Sequence, residues 1–274
     1  MNGLNKISYK DMIKITKKEN RPKIRVFKYL RSHFPPRFAF YPPRPLFVST
    51  VWEYIKLSRW FIYVFMMVRA FYFLAKKGFK FQQIDIQQSS RHNSLVIAHN
   101  LWADLNVFNF SRQRIEFLIY ILRIVPANFD GKTLSIGPKN EGELILLAMH
   151  GFASENIIGI DLFSYSPKIL VMDVHCMNFP DNSFDTITCG WMLTYCYDIE
   201  KAIREIIRVA KNGALVACGF SIPPPVEQSD AINKVSRLRG GVNELLHLFG
   251  NAVHIIYWRR ESGGRASVVF RIEK

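Results

Sequence analysis

The stretch MDVHCMNFPDNSFDTITCGWMLTYCYDIEKAIREIIRVAKNGALVACGF, from Met172 to Phe220, decides how the rest of the chain is read. It contains two apolar runs of strand length, 185–190 (DTITCG) and 214–220 (ALVACGF), with a helical stretch at 199–211 between them. Strand, helix and strand in that order is the pattern of a parallel sheet covered by helices. Upstream, the same alternation predicts strands at 169–173 (ILVMD), 156–162 (NIIGIDL) and 132–137 (KTLSIG), and a helix at about 141–151 whose first turn suits Glu141 and Glu143. Downstream it predicts a helix near 241–249 and strands at 253–258 (VHIIYW) and 267–272 (SVVFRI), which a glycine turn joins as an antiparallel hairpin on the sheet's edge.

One connection is too short for its place. Between the strand ending at Leu162 and the one beginning at Ile169 lie six residues, Phe163 to Lys168, where a helical crossover needs a dozen or more. Six extended residues reach about 20 Å, enough for a bare return along a short strand. The helix expected there should be missing, and another segment must cover the exposed sheet face. The apolar run from Trp52 to Leu74 is the best candidate.

The order of elements, the strand-end Asp173 and the FPDNSFD sequence at 179–185 resemble the class I, Rossmann-like S-adenosylmethionine-dependent methyltransferases, and in particular their small-molecule type. The resemblance covers about half of the chain. It implies an α/β fold: a Rossmann-like, mostly parallel sheet with a C-terminal antiparallel hairpin over residues 131–274, preceded by a basic, largely helical N-terminal region. It also implies an enzyme with S-adenosylmethionine as methyl donor. Gly137 ends the first strand, where a missing side chain admits a ligand, and the following helix offers free N–H groups to the methionine carboxylate. Pro138, Asn140 and Glu141 complete that turn. Asp161, 24 residues after Gly137 and beside Leu162, is placed to accept hydrogen bonds from ribose hydroxyls. Asp173 and Val174 fall at the family's adenine position, and Gly190 ends the fourth strand.

The chain departs from the family pattern in the first turn. SIGPKNE puts Ser135, Lys139 and Glu141 where an acidic residue and the later glycines usually stand. Leu193, Thr194, Tyr195 and Cys196 replace the usual Leu-Glu-His-Val. For an acceptor that needs a general base, the candidate catalytic residues are His175 and Tyr195, with Tyr197 nearby. Each also reads as a loop or pocket-wall residue. The acceptor read from the resemblance is a small molecule or a glycan-type compound.

Net charge is +15, and residues 1–130 carry all of it, with 22 Lys and Arg against 7 Asp and Glu, whereas residues 131–274 carry 15 of each. An anionic partner of that half is one reading, and a solvated basic face is the other. The charge leaves two rivals to the small-molecule enzyme: a methyltransferase-like scaffold without turnover, and an RNA methyltransferase that uses the basic arm. Cys176, Cys189, Cys196 and Cys218 have no metal-ligand spacing, so no metal is expected and the compartment reads as reducing and cytoplasmic.

Residues 1–47 read as a basic arm and a linker of prolines and aromatics, and 48–130 as a helical region that packs on the catalytic domain. The run RWFIYVFMMVRAFYFLAKK begins at Arg59. It is short for a membrane span and contains Arg69. Two readings stay open for residues 52–77: a helix buried against the protein, which the bare sheet face favours, or a peripheral helix at a membrane surface with Trp60 and Tyr63 at headgroup level.

Overall fold

A computed structural model describes residues 59–85, 91–101, 108, 115–125, 127–222, 238–260 and 264–274. The basic arm, the proline-rich linker and residues 52–58 of the apolar segment lie outside the described residues. In chain order the elements are α1 (Arg59–Lys76), β1 (Gln82–Gln83), α2 (Arg91–Leu101), α3 (Glu116–Ile124), β2 (Thr133–Ile136), α4 (Gly142–Met149), β3 (Ile157–Asp161), β4 (Phe163–Ser164), β5 (Ile169–Val171), β6 (Phe184–Gly190), α5 (Ile199–Val209), β7 (Ala210–Ser221), α6 (Val242–Phe249), β8 (Val253–Arg260) and β9 (Arg265–Ile272). All of them fall in one compact unit, so the helical region and the sheet share one body.

The main sheet has seven strands in the order β5-β3-β2-β6-β7-β9-β8. The first five pair in parallel, while β9 runs antiparallel to both β7 and β8, as the glycine turn before residue 267 predicts. This is the Rossmann-like, mostly parallel α/β fold with a C-terminal hairpin. The period-two pattern of β7 sorts its core: Val216 and Cys218 pack with α5 and α6 on one face, Leu215 and Ala217 with α3 and α4 on the other. Helix α5 buries Ile199, Ala202, Ile203, Ile206 and Val209, a single stripe, and Asp198 caps it by accepting from Lys201 N at 3.0 Å.

Between Asp161 and Ile169 there is no helix. The return instead forms the two-residue β4, which pairs with β1 in a separate two-stranded sheet. The cover comes from α1. Its Ile62 and Met66 are fully buried in one cluster with Leu144 to Leu147 of α4, Ile157 of β3 and Ile169 of β5. One and two turns further on, Ala70 and Leu74 pack with Phe163 and Tyr165 of the return itself and with Ile97 of α2. The spacing 62, 66, 70, 74 is one face of a helix.

The opposite face differs from a simple buried helix: Trp60 is 78% and Phe71 66% exposed. The buried reading therefore describes one side of the segment, and the other side is exposed. Among the described residues no helix is long and apolar enough to cross a membrane.

The two faces make opposite demands on substitution. Met66→Ala empties a fully buried site and should cost about 2–4 kcal/mol in a denaturant titration. Val68→Ala, on the outward face, should change stability by less than about 0.5 kcal/mol. Equal losses would contradict the packing described.

Candidate active site

The chain runs from β2 leftward through β3 to β5, then returns to β6 on the other side of β2, so the strand order reverses between β2 and β6. In open α/β sheets ligands bind in the crevice at the carboxyl ends of the strands at such a point. A cleft open to solvent lies there. Its floor is Ile136 and Gly137 after β2, Ile160 to Leu162 after β3, and Gly190 to Met192 after β6. Met172 to His175 form one wall, and Asn93, Val96 and Asn100, one face of α2, form another.

The turn after β2 is built unusually. Gly137 is left-handed, with φ +70°, and a Cβ there would fall 2.6 Å from Met192 Cβ. Its lost side chain thus makes room for Met192 rather than for an open approach to the backbone. Lys139 is also left-handed, with φ +59°, a conformation that costs a residue with a Cβ on the order of 1 kcal/mol. It is 6% exposed and lines the cleft. Among the described residues no other Lys or Arg lines it.

Two of the N–H groups expected to meet a ligand carboxylate are already used. Glu141 N donates to the Tyr165 hydroxyl at 3.3 Å, and Gly142 N to Asn140 Oδ1 at 3.0 Å. The Glu141 carboxylate accepts from Arg69 of α1 and from the Ser166 hydroxyl. Glu143 is buried one turn into α4; its carboxylate accepts from the Ser135 hydroxyl at 3.4 Å, and a Cβ on Gly190 would fall 2.9 Å from it. Glu141, Asn140 and Pro138 do not line the cleft: the first is drawn away by Arg69, the second caps α4, and the third packs over Gly159, where a Cβ would meet its ring at 3.0 Å.

Gly137, Asp161, Leu162, Asp173, Val174 and Gly190 do line it. Asp161 accepts from Lys139 N at 2.8 Å and Leu162 N at 2.7 Å. Burial pushes its carboxyl up to about 6, against the opposing pull of those backbone N–H groups and of the Lys139 charge. Asp173 is already engaged on both oxygens, by Asn93 Nδ2 at 2.8 Å and by His175 Nδ1 at 2.5 Å. Burial raises its carboxyl, but the bonds from His175 and Asn93 outweigh that and hold it below the usual range.

His175, one of the two catalytic candidates, is buried with both ring nitrogens occupied. Nδ1 meets Asp173, Nε2 accepts from Asp198 N at 3.4 Å, and the ring stacks on Tyr197 at 3.8 Å. A base needs a free nitrogen facing the substrate, so His175 acts here as a brace. Burial, with Asp173 and Asp198 nearby, raises the Tyr197 phenol away from the neutral range. Tyr195 lines the cleft and remains the candidate. Cys189, Cys196 and Cys218 are buried core thiols. Among the described residues no three His, Cys, Asp or Glu side chains form a group that could hold a metal ion.

Sequence reasoning missed the α2 wall, because Asn93, Val96 and Asn100 belong to no motif. It noted Lys139 only as a departure. A lysine at a position that favours glycine was the available signal.

Residues 139–218 match the family described as a methyltransferase domain. The demethylmenaquinone methyltransferase of Desulfitobacterium hafniense is 42% identical over 66 residues, 23% of this chain and 25% of that protein. An uncharacterized methyltransferase of Bacillus subtilis is 37% identical over 62 residues, 22% of this chain and 24% of that protein. The chain thus spans about a quarter of the length of the curated relatives it matches. Among solved structures, the N-methyltransferase NodS of Bradyrhizobium japonicum in complex with S-adenosyl-l-homocysteine aligns with a TM-score of 0.49 at 16% identity, covering 68% of this chain and 100% of that one.

The Arg69 to Glu141 pair ties α1 to the turn that shapes the cleft. Arg69→Leu leaves a buried carboxylate without its cation and should cost about 3–5 kcal/mol, read as a fall in melting temperature. Adding Glu141→Gln should recover a large part of the loss. A single variant as stable as the wild type would refute the anchoring role.

Proposed function

We propose that this chain, whose residues 139–218 are a class I methyltransferase domain, transfers the methyl group of S-adenosylmethionine to a small-molecule acceptor. The observation that carries the reading is the placement of Asp161 and the first turn at one end of a cleft at the strand-order switch. A demethylmenaquinone methyltransferase among the relatives supports a small, apolar acceptor over a glycan-type one.

The residues present fit the donor. A carboxylate has about four acceptor positions, and the backbone N–H groups of Lys139 and Leu162 take two at Asp161, which leaves room for ribose hydroxyls. Ile160, Met172 and Val174 offer apolar contact to a purine. With two of the N–H groups at the start of α4 used internally and the Glu141 and Glu143 carboxylates buried beside them, that helix end is unfavourable for a ligand carboxylate. Lys139 takes that role as the cation in the cleft. S-adenosylmethionine supplies, when bound, an electrophilic methyl group on a sulfonium. The chain's part is to hold donor and acceptor in line and to exclude water, work that positioning alone can do. Tyr195 is the group placed to orient an acceptor. The rebuilt first turn also favours a second reading, a domain that binds the donor without turnover; transfer of labelled methyl to an extract fraction separates the two.

A bound ribose hydroxyl favours the ionised form of Asp161, so donor binding below pH 6 must expel a proton. Affinity for S-adenosylhomocysteine should therefore rise toward about tenfold per pH unit below 6 and level off above it. Asp161→Asn should abolish the slope and weaken the plateau about tenfold or more. A pH-independent affinity by calorimetry would count against the assignment. For folding the sign is opposite to that of an ordinary paired carboxylate: the raised value favours the folded state in acid, and that contribution is lost as pH rises from 3.8 through about 6.

Lys139→Met should weaken S-adenosylmethionine about tenfold or more and leave its decarboxylated analogue unchanged. Lys139→Gly should show the same selectivity while relieving about 1 kcal/mol of backbone strain. Equal losses for both ligands would reduce Lys139 to a structural role.

A further inference from the structure

Along α1 from Trp60 to Ala75 the chain has one charged residue, Arg69, and the fold turns it inward onto Glu141. The outward face of that run carries no charge. It presents Trp60, Val64, Val68, Phe71 and Tyr72, and Phe79 continues the row, all more than half exposed. At 1.5 Å per residue the row extends over about 25 Å. A helix that only covers a sheet has polar residues on its solvent side, and contiguous exposed apolar surface marks a site of interaction. Lys76, Lys77 and Lys80 follow at one end of the row, the Lys76 ammonium lying 6.0 Å from the Tyr72 ring centre, and no Asp or Glu occurs from residue 59 to 84.

We infer that this face of α1 docks on an anionic phospholipid surface. The helix lies in the plane of the interface, with its aromatic row at the boundary of headgroups and acyl chains and the three lysines against phosphates. Charge complementarity selects the occupant. A second copy of the segment would bring the same lysines and no carboxylate to meet them, whereas a lipid surface supplies anions beside an apolar layer. The excess of cations over residues 1–130, 22 against 7 acidic residues, has the same sign. The inference stands on this surface and is independent of the proposed reaction.

The test is flotation of the full chain with vesicles of phosphatidylcholine alone and of phosphatidylcholine mixed with phosphatidylglycerol. The wild type should float with the anionic vesicles, less with the neutral ones, and less as salt is added. Val68→Glu with Phe71→Glu should lower the partition about tenfold or more while the melting temperature stays in place. The milder pair Val68→Ser with Phe71→Ser should lower it in the same direction and covers the case of a glutamate variant that does not fold. Each of Lys76→Gln, Lys77→Gln and Lys80→Gln should cost about fivefold on anionic vesicles only. Three results overturn the inference: a wild type that stays off both kinds of vesicle, a folded glutamate or serine variant that floats as the wild type does, or a wild-type dimer that the same variants turn into monomers, which would assign the face to a second copy.

Discussion

Seven residues, Leu162 to Lys168, carry the chain from β3 to β5, and no crossover helix fits in that length. Much of what is distinctive in this molecule follows from it. A parallel sheet needs cover on both faces, and with no local helix to supply it the cover comes from α1, far upstream in sequence. A borrowed helix must be held in register, and apolar contact alone is indifferent to sliding. The directional contact is Arg69 on Glu141, whose carboxylate also takes the Ser166 hydroxyl from the return itself. One buried carboxylate thus joins the helix, the return and the turn after β2.

That use of Glu141 changes the chemistry of the turn. The start of a helix is ordinarily electropositive and open to an anion, but here two buried glutamates and two internal hydrogen bonds occupy it. A lysine in a strained backbone conformation stands beside it in the cleft. In the proposed function, the charge of Lys139 takes the part that backbone dipoles would otherwise play at this turn.

The strands of the main sheet and helices α1, α4, α5 and α6 were legible in the sequence because their periodicities are strong, and so was the missing crossover helix, since chain length settles it; α2 and the small β1–β4 pair were not. The cleft was legible only where a motif named its residues. Gly137, Asp161 and Asp173 are there, while Glu141 and Asn140 are not, because a neighbour far away in sequence, Arg69, or a local cap claims them. The most recognisable stretch, FPDNSFD, proves to be scaffold. Arg208 of α5 binds Asp181 and the carbonyls of Phe179 and Met177, and Asp185 accepts from Lys132 N and Lys211. The His175 brace and the α2 wall depend on packing between distant segments, which no local pattern records.

The strand order has a consequence for how the molecule is made. Strand β8 precedes β9 in the chain, yet it joins the sheet only through β9, which lies between β8 and β7. During synthesis β8 leaves the ribosome with nothing to pair with, and the edge of β7 from Leu215 to Ser221 stays unfilled until β9 follows. β8 can therefore join the sheet only with or after β9, and until β9 docks the chain exposes a strand edge that invites pairing with another chain.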